Sequence, residues 1–308
     1  MSHAVTCLSV LLSLGLGAQA PATKEVKTPD PGVFFDDFSY GDLGGLAKNG
    51  WTIRTQKGWP GITGARWGTE SFALVEDPAQ PGNKLLRMIS ETDGSAAGTR
   101  QAQICQGRKY FEGTYAARVR FTDKPVSGPA CDVVVETFYA FSNYERPMDP
   151  KYSELDFEYL PLGGWGSAVP IIQNTSWETV QVEPWSARNE DTRKAGPLEG
   201  WHVLMMQVSG GKVGYFMDGQ RIALHGGKNY PRVPMSMNFN LWFTIEGVGS
   251  DKTRRVWNED IDWAFHAKDQ VLTPDQVNAA VAAYRKKGVG HMDTVPVTNP
   301  ALPCPCDM

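Results

Sequence analysis

Three acidic residues alternate with large apolar residues in one short segment of this 308-residue chain. Glu154, Asp156 and Glu158 are separated by Leu155 and Phe157, so an extended backbone places the carboxyls on one face and the apolar side chains on the other. Neighbouring carboxylates repel one another, and an ordinary solvated strand face has little reason to keep them unpaired. The spacing therefore predicts a strand with one buried face and one reactive face.

Two carboxyl groups on one face can cleave a glycosidic bond. The Cα atoms of Glu154 and Glu158 are about 13 Å apart on an extended strand, and side chains that lean inward bring the carboxyls to roughly 5 Å. That separation is typical of a retaining glycosidase, in which one carboxylate attacks the sugar and the other donates a proton. Asp156 lies between them and is expected to raise the pKa of the acid by repulsion.

The elements around this segment are short and rich in β-formers, and Gly, Pro, Asn and Asp separate them. They predict an all-β fold, a two-sheet antiparallel β-sandwich (jelly roll). The predicted strands are Leu85–Ser90, Gly113–Phe121, Asp132–Phe141, Glu154–Leu160, Trp201–Val208, Val213–Met217, Ser236–Phe243 and Ile261–Phe265.

One short C-terminal helix is predicted after the last strand. Thr273 supplies an N-cap, Pro274 the first helical position and Gln276 a capping box, and Gly288 follows the last basic residues. We expect this helix to pack against the sandwich through its apolar face, which comprises Val277, Ala280, Val281 and Tyr284.

The charge balance argues against some partners. The net charge of −4 provides no basic excess for a nucleic acid or an anionic membrane, so a neutral polysaccharide is the expected ligand of a monomeric protein. Ten tryptophans supply flat faces that suit sugar rings. Cys and His pairs do not recur at metal-ligand spacing, so no metal and no cofactor are implied.

The chain ends have their own patterns. Residues 1–20 contain an apolar run that ends in Ala18-Gln19-Ala20, which predicts a signal peptide and secretion. A flexible leader is expected over residues 21–32, the sandwich domain over 33–267, and a helix and tail over 268–308. In an oxidising compartment we expect Cys105 to pair with Cys131, while Cys304 and Cys306 pair between chains or stay reduced.

The acidic segment resembles the Glu-x-Asp-x-Glu motif of glycoside hydrolase family 16, in the form found in its lichenase and xyloglucan-transglycosylase branch. The resemblance covers about residues 34–266, through Gly113–Arg118, Trp201-His202, Phe216–Gly219, Met237–Trp242 and Asp260–Trp263. It implies a jelly roll and an endo-glycosidase of the β-glucanase type. By this resemblance Glu154 is the nucleophile, Asp156 assists it and Glu158 is the acid/base.

The same resemblance suggests substrate contacts. Arg118, Tyr139 and Asn174 are expected to be polar contacts by their positions in the family's pattern, although Arg118 has an alternative as the partner of a sheet carboxylate. Trp165, Trp177 and Trp242 are expected to stack on sugar rings, although Trp242 is equally compatible with a core position.

Other features of the resemblance leave choices open. This chain has Tyr115-Ala116-Ala117-Arg118 where the lichenase-like pattern reads Tyr-Glu-x-Arg, so the polysaccharide and its linkage are not fixed. A structural calcium ion at Asp260 and Asp262 is an optional expectation, as in some family members.

Two alternatives remain. A non-catalytic, lectin-like carbohydrate-binding protein fits the same sandwich, because fold does not fix function. A transglycosylase has the same acids and passes the sugar to another sugar instead of water. Loss of activity on replacing either Glu154 or Glu158 by Gln separates both enzymes from the lectin.

Overall fold

The computed structural model describes residues 1, 32–244, 247–304 and 306. Almost all of the strands pair antiparallel and form the two-sheet sandwich that the sequence predicts. The strands are β1 Val33–Asp36, β2 Thr52–Ile53, β3 Arg66–Trp67, β4 Phe72–Glu76, β5 Lys84–Thr92, β6 Arg100–Cys105, β7 Gly113–Phe121, β8 Val134–Phe141, β9 Glu154–Leu160, β10 Ile171–Gln181, β11 Ser186–Ala195, β12 Gly200–Ser209, β13 Lys212–Met217, β14 Gln220–Gly226, β15 Ser236–Phe243, β16 Arg255–Lys268 and β17 His291–Asp293. The helices are α1 Gly44–Lys48 and α2 Pro274–Lys286, with 3₁₀ turns at Thr69–Ser71 and Gly227–Asn229.

The inner sheet has the order β2-β6-β15-β8-β9-β10-β11. The outer sheet has the order β14-β13-β12-β7-β16, and the two halves of β16 then pair with β5 and with β1. β4 lies beyond β5, and β17 lies beyond β1. The acidic strand β9 is therefore central in the inner sheet.

The core lies between the two sheets, and alternation along each strand builds it. On β7, Tyr115, Ala117, Val119 and Phe121 are fully buried in this core, while Arg118 projects from the opposite face. β9 contributes Leu155, Phe157 and Tyr159 to the same core from the other sheet. This period-two pattern is what the sequence predicts for strands with one buried face.

Helix α2 covers the outer face of the outer sheet, as the sequence predicts. Thr273 and Gln276 form the capping box, with Pro274 at the first position. Val277 and Val281 are buried against the sheet, and the ring of Tyr284 stacks on that of Phe35 at 5.1 Å. None of the helices within the described residues is long and apolar enough to cross a bilayer.

Two predictions about the chain ends have different outcomes. The predicted signal peptide and leader lie outside the described residues, except for Met1 and Gly32. The predicted pairing of Cys105 with Cys131 is wrong. Cys105 is buried at the end of β6 with its Sγ atom 3.5 Å from that of Cys304, whereas Cys131 is an exposed residue before β8. The distance of Cys304 along the chain concealed this proximity.

Candidate active site

The register of the inner sheet brings the three acids to one face. On β9, Glu154, Asp156 and Glu158 face a cleft while the intervening residues enter the core. Each acid has two lateral neighbours on this face: Phe141 and Trp177 beside Glu154, Tyr139 and Thr175 beside Asp156, and Thr137 and Gln173 beside Glu158.

The cleft above these acids is a cavity of about 760 Å³. Its walls are largely aromatic, and polar residues of β10, β11 and β15 complete them. The aromatic walls comprise Trp59, Tyr139, Tyr152, Trp165, Trp177, Trp185 and Trp242. The polar residues besides the acids include Gln173, Asn189, Asp191, Arg193 and Asn240. A cavity of this size with flat apolar walls and convergent polar groups is suited to sugar rings.

Glu154 receives hydrogen bonds that favour its charged form. The Tyr152 hydroxyl donates to its Oε2 atom, and Asp156 shares a hydrogen bond with it. Burial opposes these bonds and raises the pKa of Glu154 from 4.5 to about 7. The carboxylate is therefore the form that its neighbours stabilise as the pH approaches neutrality.

The surroundings of Glu158 favour its protonated form. Burial and the charge of Glu154 raise its pKa from 4.5 to about 8, although the cation of Arg193 acts in the other direction. Glu158 therefore retains its proton at neutral pH, which is the property that a general acid requires.

Asp156 lies between the two glutamates and is almost fully buried. Its pKa is raised well above the ordinary value by burial and by the charges of Glu154 and Glu158. The Trp177 indole Nε1 donates to its Oδ2 atom at 2.6 Å. A protonated Asp156 can therefore donate its hydrogen bond to Glu154 and hold that carboxylate in place.

Four of the predicted substrate contacts lie in the cleft: Tyr139, Trp165, Trp177 and Trp242. Trp177 also orients Asp156 through its indole nitrogen. Tyr139 accepts a hydrogen bond from Gln103 Nε2 at 2.8 Å. Binding of a sugar by these residues stays a prediction.

The predicted contact Asn174 is wrong by one residue. It pairs with Phe157 across β9 and β10 and is 2% exposed, on the core face of the sheet. Its neighbour Gln173 pairs with Glu158 and lines the cleft. Because side chains alternate along a strand, a shift of one residue moves a side chain to the other face.

Arg118 is also misplaced by the sequence prediction. It lies on β7 in the outer sheet, where its Nη1 atom is 2.7 Å from Asp262 Oδ2 and its guanidinium packs over the Trp201 ring. Asp262 is also bound by Arg285 of α2. The alternative of a sheet ion pair is therefore the observed arrangement.

Arginines also pair with both carboxylates of the optional calcium site, Asp260 and Asp262. Asp260 is bound by Arg87 at 2.7 Å, and both arginines on Asp262 neutralise that carboxylate. Carboxylates already paired with cations do not fit a calcium ion. Among the described residues, His, Cys, Asp and Glu form no group of three arranged to bind a metal.

The sequence analysis did not identify three residues that neighbour the acids in the cleft: Tyr152, Gln173 and Arg193. Tyr152 precedes Glu154 by two positions, so period-two alternation extended backwards from the acids would have found it. Gln173 and Arg193 come from β10 and β11, which were not predicted as strands. Their positions depend on the register between neighbouring strands, which the pattern within one strand does not give.

The fold is that of known polysaccharide-degrading enzymes. A prokaryotic β-1,3-1,4-glucanase (lichenase) derived from a mouse hindgut metagenome superposes with a TM-score of 0.54 at 17% identity, over 77% of this chain and 99% of that chain. A glycoside hydrolase family 16 endo-glucanase from Bacteroides ovatus gives 0.55 at 14% identity, over 75% and 98%. The κ-carrageenase from Pseudoalteromonas carrageenovora gives 0.52 at 13% identity, over 80% and 98%.

The sequence itself matches no protein-family model and no curated protein. The structural likeness shows that this chain has the jelly-roll fold of these enzymes, as the resemblance of the acidic motif predicts. What the site does is inferred from its own residues.

Proposed function

We propose that this protein is a retaining glycoside hydrolase that cleaves a β-linked polysaccharide of the β-glucan type. One observation carries the proposal. The three acids of β9 share one cleft, where Tyr152 donates a hydrogen bond to the Glu154 carboxylate while burial and the charge of Glu154 favour the protonated form of Glu158. An attacking carboxylate and a proton donor are the two groups that retaining hydrolysis requires.

In the first step, the Glu154 carboxylate attacks the anomeric carbon while Glu158 transfers its proton to the departing glycosidic oxygen. The carbon–oxygen bond to the leaving sugar breaks, and an ester between Glu154 and the remaining sugar forms. In the second step, the Glu158 carboxylate takes a proton from water, which attacks the same carbon and releases Glu154. Asp156 stabilises Glu154 through its hydrogen bond during both steps.

The charge of the cleft favours a neutral substrate. Among the described residues of the lining, Arg193 is the one cation, and it lies 3.2 Å from Asp191. Sulfate groups would meet the charges of Glu154 and Asp191, and Arg193, which already pairs with Asp191, is the one cation of the described lining available to offset them. A neutral glucan therefore fits this surface better than a sulfated galactan does.

Export is part of the same proposal. Polysaccharides of this class are too large to enter a cell intact, and the apolar run before Ala18-Gln19-Ala20 provides a route out. We propose that the protein acts outside the cell as a monomer.

The test is release of reducing sugar from mixed-linkage glucan, laminarin, xyloglucan, agarose and carrageenan by the purified mature protein. We expect release from a neutral β-glucan and its loss in Glu154→Gln. Glu76→Gln, on β4 of the outer sheet, is the matched control and should retain full activity. Binding of a glucan with no release by the wild type would favour the lectin-like alternative. Transfer of sugar from the cleaved polysaccharide onto an added oligosaccharide, which gives products longer than that oligosaccharide, would favour the transglycosylase.

A further inference from the structure

The cleft face of the inner sheet continues beyond the cavity, onto β15 and β6. There it carries Gln103, Cys105, Ser236 and Asn238, in the same rows as the acids of β9. Three of these four side chains are polar, as expected of a binding surface, yet all four are at most 1% exposed. Something covers this end of the cleft.

The cover is the C-terminal tail, which we define as residues 298–304 and 306. The Pro303 carbonyl oxygen accepts a hydrogen bond from Asn143 Nδ2 at 3.3 Å. The Cys304 Sγ atom lies 3.3 Å from the Gln106 carbonyl oxygen, and the Cys306 Sγ atom lies 3.2 Å from that of Thr52. The tail therefore crosses from the loop after β8 to the ends of β6 and β2.

A second segment closes the neighbouring row. Arg54 donates to Gln103 Oε1 at 2.8 Å and to the Trp59 carbonyl oxygen at 3.0 Å. The Trp59 ring reaches the cavity wall, 6.4 Å from the Trp242 ring. The loop that bears Trp59 lines the cavity, and the tail lies beyond it at the same end of the inner sheet, against β6 and β2.

No segment among the described residues covers the opposite end of the cleft in this way. Asn189, Asp191 and Arg193 on β11 line the cavity and are exposed, as is Trp185 beside them. A sugar chain seated over the acids can continue across β10 and β11. In the other direction it meets the tail at β15.

We propose that a disulfide between Cys105 and Cys304 fastens the tail across the cleft, so that cleavage occurs a short, fixed distance from one end of the sugar chain. This rests on the proposed hydrolase function. The two Sγ atoms are 3.5 Å apart, one thiol on the sheet and one on the tail. Their oxidation transfers two electrons and two protons to a small-molecule disulfide, which becomes two thiols.

The bond itself can be tested without any substrate. Mature protein refolded with oxidised glutathione is digested without reduction, and its peptides are weighed. We expect one cross-linked pair that contains Cys105 and Cys304, while exposed Cys131 is alkylated in the folded protein. Recovery of Cys105 and Cys304 as separate alkylated peptides, or Cys105 joined to another residue, would overturn the disulfide.

The barrier is tested on a glucan that the wild type cleaves. A variant that ends at Val297 retains β17 and buried Val295 but lacks the tail. We expect short products of narrow size from the wild type, and longer products from the truncated variant. We also expect about tenfold lower KM for long chains in that variant, because it gains contacts at β6 and β15.

Because the Cys306 thiol also contacts Cys105, a variant with both Cys304→Ser and Cys306→Ser should behave like the truncated variant, and Cys131→Ser should behave like the wild type. If the truncated variant and the wild type give the same product sizes and KM, the tail is not a barrier. If no polysaccharide is cleaved at all, the hydrolase proposal fails, whereas the peptide map still decides the disulfide.

Discussion

Strands β16 and β9 both carry acids at alternate positions. On β16 these acids are paired with arginines, whereas on β9 the hydrogen bonds come from neutral side chains. On β16, Asp260 and Asp262 lie on the outer sheet, and arginines bind both of them. On β9, the acids face a cleft and receive hydrogen bonds from the neutral donors Tyr152 and Trp177. The pKa of Asp262 is held below its ordinary value by Arg285 and Arg118, while the pKa of every acid on β9 is raised.

The partner of each carboxyl group distinguishes an acid that stabilises the fold from one that can transfer a proton. An arginine partner fixes a carboxylate in its charged form, so the group can stabilise the fold but cannot exchange a proton near neutral pH. Neutral donors and neighbouring acids leave the proton available. The acid-x-acid spacing is the same on both strands, so the partners decide the role.

Removal of the proton donor Glu158 should cause the largest loss of kcat. Glu158→Gln should lower kcat on a glucan by about 10²–10⁴-fold, because the leaving oxygen departs without a proton. An aryl glycoside with an acidic phenol as leaving group needs no such help, so its first step should be nearly unchanged. Steady-state and burst kinetics on both substrates measure this. An equal loss on the two substrates would contradict the role of Glu158.

The corresponding change on the outer sheet should affect stability instead. Asp262→Asn removes the partner of Arg118 and Arg285 and should cost about 2–4 kcal/mol of unfolding free energy, measured by urea denaturation. We expect kcat to stay at the wild-type value, with Glu76→Gln as control for both measurements. A large loss of kcat in the folded variant would mean that the two acidic strands are not separate in function.

The two strands should also respond to pH with opposite signs. The pKa of Glu158 is raised from 4.5 to about 8 in the folded protein. The unfolded chain releases this proton more easily, so the free energy of unfolding falls as the pH rises from about 4.5 to about 8 and is constant above that. Glu158→Gln should therefore raise Tm relative to the wild type at pH 9, by about 2–4 °C for each kcal/mol gained, and should have a smaller effect at pH 4.

For Asp262 the pKa is lowered, so its stabilisation is present above about pH 3.8 and is lost as the pH falls below it. The cost of Asp262→Asn should shrink in that range. Thermal unfolding of the wild type and both variants at pH 3, 4, 7 and 9 makes the comparison. Parallel pH curves for the two variants would contradict the assignment.

A smaller change in KM is expected at β10, where Gln173 faces the cleft and Asn174 faces the core. Gln173→Ala should raise KM by about 2–10-fold through one lost hydrogen bond to the sugar. Asn174→Ala should lower the unfolding free energy and leave KM unchanged, because Asn174 lies on the core face. The reverse result would restore the original prediction for Asn174.

Much of the fold was accessible from local patterns. The bounds of β7, β9 and β15 are those predicted, because each of these strands has a core face with a regular apolar period. Strand β11, Ser186–Ala195, was missed because nearly all of its residues are exposed. An edge strand without a buried face carries no alternation to detect.

The site residues also fall into those that local spacing predicts and those that depend on contacts between segments. The acids are adjacent on one strand, so their spacing predicted their shared face. Arg118 was assigned by the family's pattern, although the alternation of β7 already placed it opposite the buried residues. The position of Gln173 depends on the register of β10 against β9, and the proximity of Cys105 to Cys304 depends on a contact between segments 199 residues apart. Local sequence does not encode such register.

A retaining mechanism requires that Glu154 form a covalent bond to the sugar. An activated 2-deoxy-2-fluoro glycoside slows the second step of a retaining hydrolase, and peptide mass spectrometry then locates the trapped sugar. We predict one sugar per protein, attached to the peptide of β9 at Glu154, and none in Glu154→Gln. Attachment at Glu158, or no attachment by an enzyme that cleaves the same sugar chain, would contradict the mechanism.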